Sequence, residues 1–233
     1  MKAHETVMSW VTAELQSGRL SIGDHLPGER ALAETLHVSR GSLREALRVL
    51  EALGTIRTST GSGPRSGTII TAAPEQALAL ALEMQLATRH VEHAHMYEVR
   101  LLLETWAAEH AHEGGDQGAA AQLLERMDEP GLPVEEFLQL DAAFHVELSR
   151  AAGNPLISTL MDALRTSIAD HTLGRARSLP DWPTTAARLR SEHHGILERV
   201  RAGDRDGAAD LLRDHIEGYY RETADVETGE PLP

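Results

Sequence analysis

LPGERALAETLHVSRGSLREAL, residues 26–47, holds the turns and helix ends that decide the fold of the N-terminal third. Pro27 stands just ahead of a helix predicted at about residues 28–36, because proline is favoured near a helix start. Ser39 is a good N-cap for a following helix, predicted at about residues 40–53. The stretch therefore predicts two short helices joined by a tight turn.

The segments on either side complete a small domain. An amphipathic pattern predicts another helix at about residues 7–17. After the two helices, the short β-branched runs 55–58 and 68–71 flank the turn-rich GSGPRSG at 61–67, which is typical of a two-stranded hairpin. Three helices followed by a hairpin are the layout of a winged helix-turn-helix.

The third predicted helix has two distinct faces. Its apolar residues recur at i, i+3, i+4 and i+7 and form a stripe: Leu43, Ala46, Leu47 and Leu50. A second face carries an arginine every four residues: Arg40, Arg44 and Arg48. Such a row suits entry into the DNA major groove, and Arg30 and Arg65 would extend the basic surface. Alone, the row would favour a solvated stripe paired with Glu45 and Glu51, but the turn, the helix order and the Gly-rich wing together favour DNA binding.

Charge and composition narrow the function classes. The net charge is −14, which would argue against a nucleic-acid partner. Residues 1–70, however, hold 8 Lys+Arg and 7 Asp+Glu (net +1), whereas residues 71–233 hold 14 and 29 (net −15).

The absence of cysteine excludes disulfides and thiolate metal sites. No signal peptide and no apolar run of about 20 residues is evident, so we expect a cytoplasmic protein with no membrane partner.

The remainder of the chain predicts an all-α bundle. After Pro74 a long helical region begins, and further helices follow at about 93–113, 116–127, 134–151, 155–175, 184–202 and 205–223. The predicted fold is mostly α. Its domains are a winged helix-turn-helix at 1–72, a helical effector-binding, metal-binding and dimerisation domain at 73–223, and a flexible tail at 224–233.

Three of these helices place metal-competent side chains on their apolar faces. Asp141 and His145 are one turn apart on the inward side of one helix. His193 lies within the apolar stripe of the next-to-last helix, whereas His194 falls on its polar side, and His215 lies within the stripe of the last helix. Burying these four groups is costly unless they are paired, and one divalent ion would satisfy them all. Each histidine taken singly is better explained as a hydrogen-bonded core residue.

The N-terminal motifs resemble a known family. Gly18-Arg19-Leu20, residues 26–33, Val38-Ser39-Arg40 and residues 43–47 closely resemble the DNA-binding domain of GntR-family transcription regulators. The resemblance implies that Arg30, Arg40 and Arg44 contact operator DNA and that a wing glycine enters the minor groove. The wing tip at 61–67 is longer than the usual Gly-x-Gly. The candidate DNA-binding residues are Arg30, Ser39, Arg40, Arg44, Arg48, Arg65 and Gly67.

The C-terminal motifs resemble the FCD ligand-binding domain of the FadR subfamily of these regulators. The matching segments are residues 98–104, Asp141-x-x-Phe144-His145, Gly153-Asn154, Glu192-His193, Ile196-Leu197 and His215. The resemblance implies a metal held by Asp141, His145, His193 and His215, with zinc first and nickel or manganese as alternatives. It also implies a small organic acid as effector. Arg100 is the candidate for its carboxylate, with a helix-surface salt bridge to Glu104 as the alternative.

Together these patterns predict a ligand-responsive, dimeric transcription regulator, a repressor, that binds palindromic operator DNA and is not an enzyme. Two alternatives remain open at this point. One is a metal-dependent hydrolase that uses the Asp/His3 site, which would need an open coordination position and a general base. The other is a helical protein with a structural ion and no effector.

Overall fold

A computed structural model describes residues 3–59, 67–112 and 117–224, and it has the predicted mostly α architecture. The N-terminal elements are α1 (Ala3–Gln16), α2 (Glu29–Thr35), α3 (Arg40–Ala52), β1 (Ile56–Ser59) and β2 (Gly67–Ile70). They are followed by α4 (Glu75–Ala87), α5 (His93–Glu109), α6 (Gly118–Met127), α7 (Val134–Arg150), α8 (Pro155–Ala176), α9 (Trp182–Ala202) and α10 (Arg205–Ala224). The chain divides into two compact units, Met1–Leu78 and Ala79–Pro233. The tail predicted at 224–233 lies outside the described residues except for Ala224.

The N-terminal unit is a winged helix-turn-helix, as predicted. The apolar stripe of α3 packs with residues of α1, α2 and the hairpin: Val7, Val11, Leu32, Leu43, Ala46, Leu47, Leu50, Ile56 and Ile70. Strand β1 pairs with β2 antiparallel, with Ile56 opposite Ile70. Residues 23–26 pair along the other edge of β2 through an isolated bridge between His25 and Ile69. The predicted cap is present, because Ser39 Oγ accepts a hydrogen bond from the Ser42 amide at 3.0 Å.

Gly54 makes the sharp turn between α3 and β1. Its φ is +70°, and the amides of Gly54 and Thr55 bond back to the carbonyls of Glu51 and Leu50, the two bonds of a Schellman motif. A Cβ at this position would lie 1.9 Å from the carbonyl oxygen of Ala73. Only glycine therefore fits both the backbone conformation and the space.

The C-terminal unit is built around α7, which is buried on most of its circumference. A helix with that much burial belongs at the centre of a bundle. Its core contains large apolar side chains from α6, α7, α9 and α10: Leu124, Met127, Phe137, Phe144, Leu189, Ile196 and Leu212. Leu211 fits the apolar periodicity of α10, but its side chain is exposed.

Helix α4 is the least buried helix of the fold. Its alternating Leu and Met residues superficially suit a strand, but the segment is helical, as its Ala, Glu and Gln content indicates. Leu82 and Leu86 pack against Met96 and Leu164, while Leu80 and Met84 are exposed. Within the three described ranges, no helix combines the length and apolar composition needed to cross a bilayer.

We expect Gly54→Ala to lower the free energy of opening of the Met1–Leu78 unit by about 2 kcal/mol or more, because a left-handed backbone is strained for alanine and the methyl group meets a carbonyl oxygen. Hydrogen exchange of α3 peptides in the full chain measures this. Gly18→Ala is the matched control, since Gly18 has φ +71° but open space around it, and its cost is about 1 kcal/mol. Equal losses in the two variants would contradict the steric argument.

Candidate metal centre and DNA-binding face

The three arginines of α3 lie on its exposed side. Arg40 is the first residue of the helix, and Arg44 and Arg48 follow at intervals of one turn, all with exposed side chains. The opposite side of α3 is the buried apolar stripe. The helix thus presents a row of guanidinium groups to solvent, directly after the Ser39 cap.

Ion pairs hold two of these arginines, and the pairs differ in part from those expected. Arg44 donates to Glu29 at 2.8 Å, and Arg48 pairs with Glu45 at 2.6 Å. Glu51 was the other expected partner, but it accepts a hydrogen bond from the Thr58 amide instead. In the part of the chain that the structure describes, no ion pair holds Arg40. Exposed pairs contribute only about 0–1 kcal/mol each, so an anionic ligand could displace them.

The remaining DNA-binding candidates lie near this helix in sequence but differ in character. Arg30 is exposed on α2, and Ser39 uses its hydroxyl oxygen as the helix cap. Gly67 begins β2 with φ +136°, and a Cβ there would lie 3.2 Å from Nδ1 of His25. Glycine at 67 thus has a conformational reason independent of DNA. Arg65 lies outside the described residues.

The four residues predicted to bind a metal converge in the interior of the C-terminal unit. Asp141 and His145 come from α7, His193 from α9 and His215 from α10, and all four are buried. One ligand atom from each lies within 4.8 Å of the others. Nε2 of His193 is 3.0 Å from Oδ1 of Asp141 and 3.2 Å from Nε2 of His215. Nε2 of His145 is 3.9 Å from the same oxygen.

The donor set and its spacing fit a divalent ion. Ligands about 2.0–2.1 Å from a tetrahedral zinc lie about 3.3 Å from one another, close to the separations observed here. Nε2 of His145 is buried and has no hydrogen-bond partner among the described residues, so it is free to coordinate. Three imidazoles and one carboxylate suit zinc, nickel or manganese.

Two carboxylates for which no metal-site role was predicted stand behind the histidines. Oε2 of Glu104 lies 2.5 Å from Nδ1 of His145, and Oε2 of Glu192 lies 2.7 Å from Nδ1 of His215. The signal for Glu104 is its place in the buried stripe of α5 with Ala107 and Ala108. Glu192 has no comparable signal, because its spacing from neighbouring charges is common on exposed helices.

The interior sets the protonation state of these groups. Burial alone raises the pKa of Glu104, but its interactions with His145 and with its arginine partner Arg100 outweigh this and lower the pKa to about 2. A hydrogen bond from His193 likewise overcomes the effect of burial and lowers the pKa of Asp141. Burial lowers the pKa of His193, and burial with the nearby His193 lowers that of His215 to about 4. Ionised carboxylates and neutral imidazoles are the forms that bind metal.

A small cavity of about 40 Å³ has Arg100 and Arg175 in its wall, and none of the four candidate ligands lines it. Arg100 also donates to Glu104 at 2.6 Å, but both side chains are buried, so the expected helix-surface salt bridge is wrong about its setting. Nη2 of Arg100 is buried without a hydrogen-bond partner in the described ranges. Arg175 donates to Thr223 Oγ1 at 3.2 Å and stacks 4.4 Å over the ring of Tyr220.

Comparisons with known proteins find matches for both the N-terminal and the C-terminal part of the chain. Residues 3–65 match the model of the bacterial regulatory proteins of the gntR family, and residues 95–218 match the FCD domain. The chain is 29% identical to the HTH-type transcriptional regulator LutR of Bacillus subtilis over 89% of this chain and 98% of that protein. It is 26% identical to the Glc operon transcriptional activator of Escherichia coli K12, over 96% and 89% of the two chains. The fold resembles Streptococcus agalactiae GntR with a TM-score of 0.61 at 22% identity, over 94% of this chain and 99% of that one.

Proposed function

The chain belongs to the gntR family of bacterial regulatory proteins and carries an FCD domain, and on this premise we propose a dimeric repressor, of the FadR subfamily, that responds to a small organic acid. Its family and relatives are transcription regulators and not enzymes, so the hydrolase alternative is not retained. One observation carries the sensing role. Arg100 lines the cavity and binds Glu104, which in turn contacts the candidate metal ligand His145.

In the proposed complex, α3 enters the major groove of operator DNA. Arg40, Arg44 and Arg48 then read guanine edges or neutralise phosphates, and Ser39 lies at the helix start where backbone contacts are made. Arg30 and the wing residues Arg65 and Gly67 complete the predicted contact set. Two copies of the domain would bind two half-sites, which is why the operator is expected to be palindromic. Because bacterial operator DNA lies in the cytoplasm, we expect the protein to act there.

The proposed dimer has a surface that suits it. Leu80 and Met84 of α4 and Val99 and Leu102 of α5 expose large apolar side chains. The two residues of each helix lie about one turn apart and so share one of its faces. Exposed apolar faces of this kind are typical of an interface between copies. We therefore propose that these two helices form the homodimer contact. In a single copy, none of the described residues of α4 is fully buried, which leaves this helix free to be covered by a second copy.

The proposed cofactor is a divalent ion, zinc first and nickel or manganese next, held by Asp141, His145, His193 and His215. When bound, it would offer a Lewis acid to a carboxylate or hydroxyl oxygen of the effector. Arg100 would bind the carboxylate bidentately. A cavity of about 40 Å³ holds roughly three water-sized probes at about 10–15 Å³ each, so the effector is a short acid. Effector and operator affinities are then linked, and each changes the other by the same factor.

Arg40→Ala and Arg44→Ala should each weaken operator binding about 5- to 150-fold, since losing a base or phosphate contact costs about 1–3 kcal/mol. Fluorescence anisotropy on operator DNA obtained by selection from random duplexes measures this, with a steep salt dependence expected for the parent protein. Arg126→Ala is the control, because Arg126 forms an exposed pair in the C-terminal unit. A folded protein that binds no DNA would contradict the proposal, and transcription that requires the protein would make it an activator.

Purified protein should bind one divalent ion per chain. His193→Ala should weaken Zn²⁺ binding more than about 100-fold, because removing a ligand costs more than the 10- to 100-fold typical of changing a residue that supports one. Competition with a chelating dye and elemental analysis measure affinity and stoichiometry. His194→Ala is a closely matched control, since His194 is the neighbouring residue but is exposed and pairs with Asp128. Equal affinity in the two variants would refute the metal site.

A short hydroxy acid of about two to four carbons should change the operator Kd of the metal-loaded protein. Arg100→Lys should raise the acid concentration needed for that change at least about tenfold, because lysine cannot bind a carboxylate bidentately. A titration of the acid against protein–operator anisotropy measures the shift. Arg126→Lys should respond as the parent does. If no acid alters the DNA affinity of the metal-loaded protein, the ion is structural and the effector proposal fails.

A further inference from the structure

Two chains of side chains lead from arginines to the metal ligands, one from the buried Arg100 and one from the partly exposed Arg188. In the first, Arg100 of α5 donates to Glu104 at 2.6 Å, and Glu104 lies 2.5 Å from Nδ1 of His145. In the second, Arg188 of α9 donates to Glu192, which lies 2.7 Å from Nδ1 of His215. Each chain runs Arg, Glu, His, with arginine and glutamate one turn apart on the same helix.

Building on the metal site proposed above, we propose that Glu104 and Glu192 are positioning residues of the metal centre. An ionised carboxylate only accepts hydrogen bonds, so the imidazole nitrogen against it must carry the proton. A neutral imidazole has one N–H, and the proton on Nδ1 leaves the lone pair on Nε2. Glu192 acts through a hydrogen bond to His215, and Glu104 acts through an ionic contact of 2.5 Å with His145. The two glutamates thus fix the tautomer and ring orientation in which Nε2 of His145 and of His215 faces the ion.

The arginines make this arrangement rigid. Each guanidinium holds the second oxygen of its glutamate, so the carboxylate cannot turn away from the histidine. Arg188 also reaches Glu222 of α10, and Thr185 of α9 donates to the same Glu222. Helices α9 and α10, which carry two of the metal ligands, are therefore joined by the network that orients His215.

His193 is held differently. Its Nδ1 is buried and has no hydrogen-bond partner in the part of the chain that the structure describes. Its orientation comes from Asp141 at 3.0 Å and from the Phe144 ring, whose centroid is 4.9 Å from that of the imidazole. Two of the three histidines, His145 and His215, are thus each positioned by a glutamate.

Glu192→Gln is the sharpest test, because Glu192 is partly exposed whereas Glu104 is buried, so this variant is the safer one for folding. Glutamine keeps the shape, but its amide can donate to Nδ1 and favour the wrong tautomer. We expect Zn²⁺ affinity to fall about 10- to 100-fold. Glu104→Gln should act in the same direction.

A second measurement does not depend on the ion. Ring ¹⁵N spectra of metal-free, histidine-labelled protein report which nitrogen is protonated, with the His215 signals assigned by their loss in His215→Gln. The parent should show Nδ1–H at His215, and Glu192→Gln should shift it towards Nε2–H. A role limited to packing would leave the tautomer unchanged.

Two controls match the change without touching a metal ligand. Glu136→Gln alters an exposed carboxylate paired with Arg126, and Asp128→Asn alters a carboxylate paired with the exposed His194. Both should bind Zn²⁺ within about twofold of the parent, below the range expected for a positioning residue.

The outcomes separate the two proposals. If His193→Ala keeps full Zn²⁺ affinity, the metal site itself fails. If His193→Ala loses the ion while Glu192→Gln and Glu104→Gln bind as the parent does with an unchanged tautomer, the metal site stands and the positioning role is overturned. Lower affinity together with the tautomer shift, in these variants and not in the controls, supports it.

Discussion

Burial of charge is the constraint on which the C-terminal unit depends. Asp141, Glu104 and Arg100 lie in the interior together with three imidazoles, and an uncompensated charge in such a place is prohibitively costly. The helices must therefore keep the register that lets these groups meet. Sliding one helix by a single turn moves its side chains about 5.4 Å, farther than the 4.8 Å within which the ligand atoms gather. The same groups that would hold an ion thus also specify how the bundle packs.

Helical periodicity was enough to find most of the fold and the four candidate ligands. Each ligand lies on an apolar stripe, and an inward-facing stripe has little choice of direction, so His193 could be separated from His194 before any packing was known. The Ser39 cap followed from local hydrogen-bond chemistry in the same way. These features depend on neighbours within one or two turns, which the sequence displays directly.

Features that depend on contacts between helices were harder to predict. The spacing of Arg100 and Glu104 is the same for an exposed pair and for a buried one, so their burial became evident only with α5 and α7 packed together. Glu192 orients a histidine 23 residues away on another helix, and no local pattern signals this. Leu211 fits the periodicity of α10 but stays exposed. Arg44 finds its partner 15 residues away on α2.

The turn at Gly54 has a consequence for how the protein can be rearranged. The carbonyl of Gly54 accepts hydrogen bonds from the Ala73 amide at 3.1 Å and the Thr71 hydroxyl at 2.9 Å, immediately before α4 begins. The segment between β2 and α4 is therefore held by hydrogen bonds to the end of α3 and is not a flexible linker. Hybrid proteins that exchange one half of this chain for another should keep residues 71–74 with the hairpin and place the splice beyond the first turn of α4. A residue added within 71–73 would disrupt the hydrogen bonds that hold this segment to Gly54.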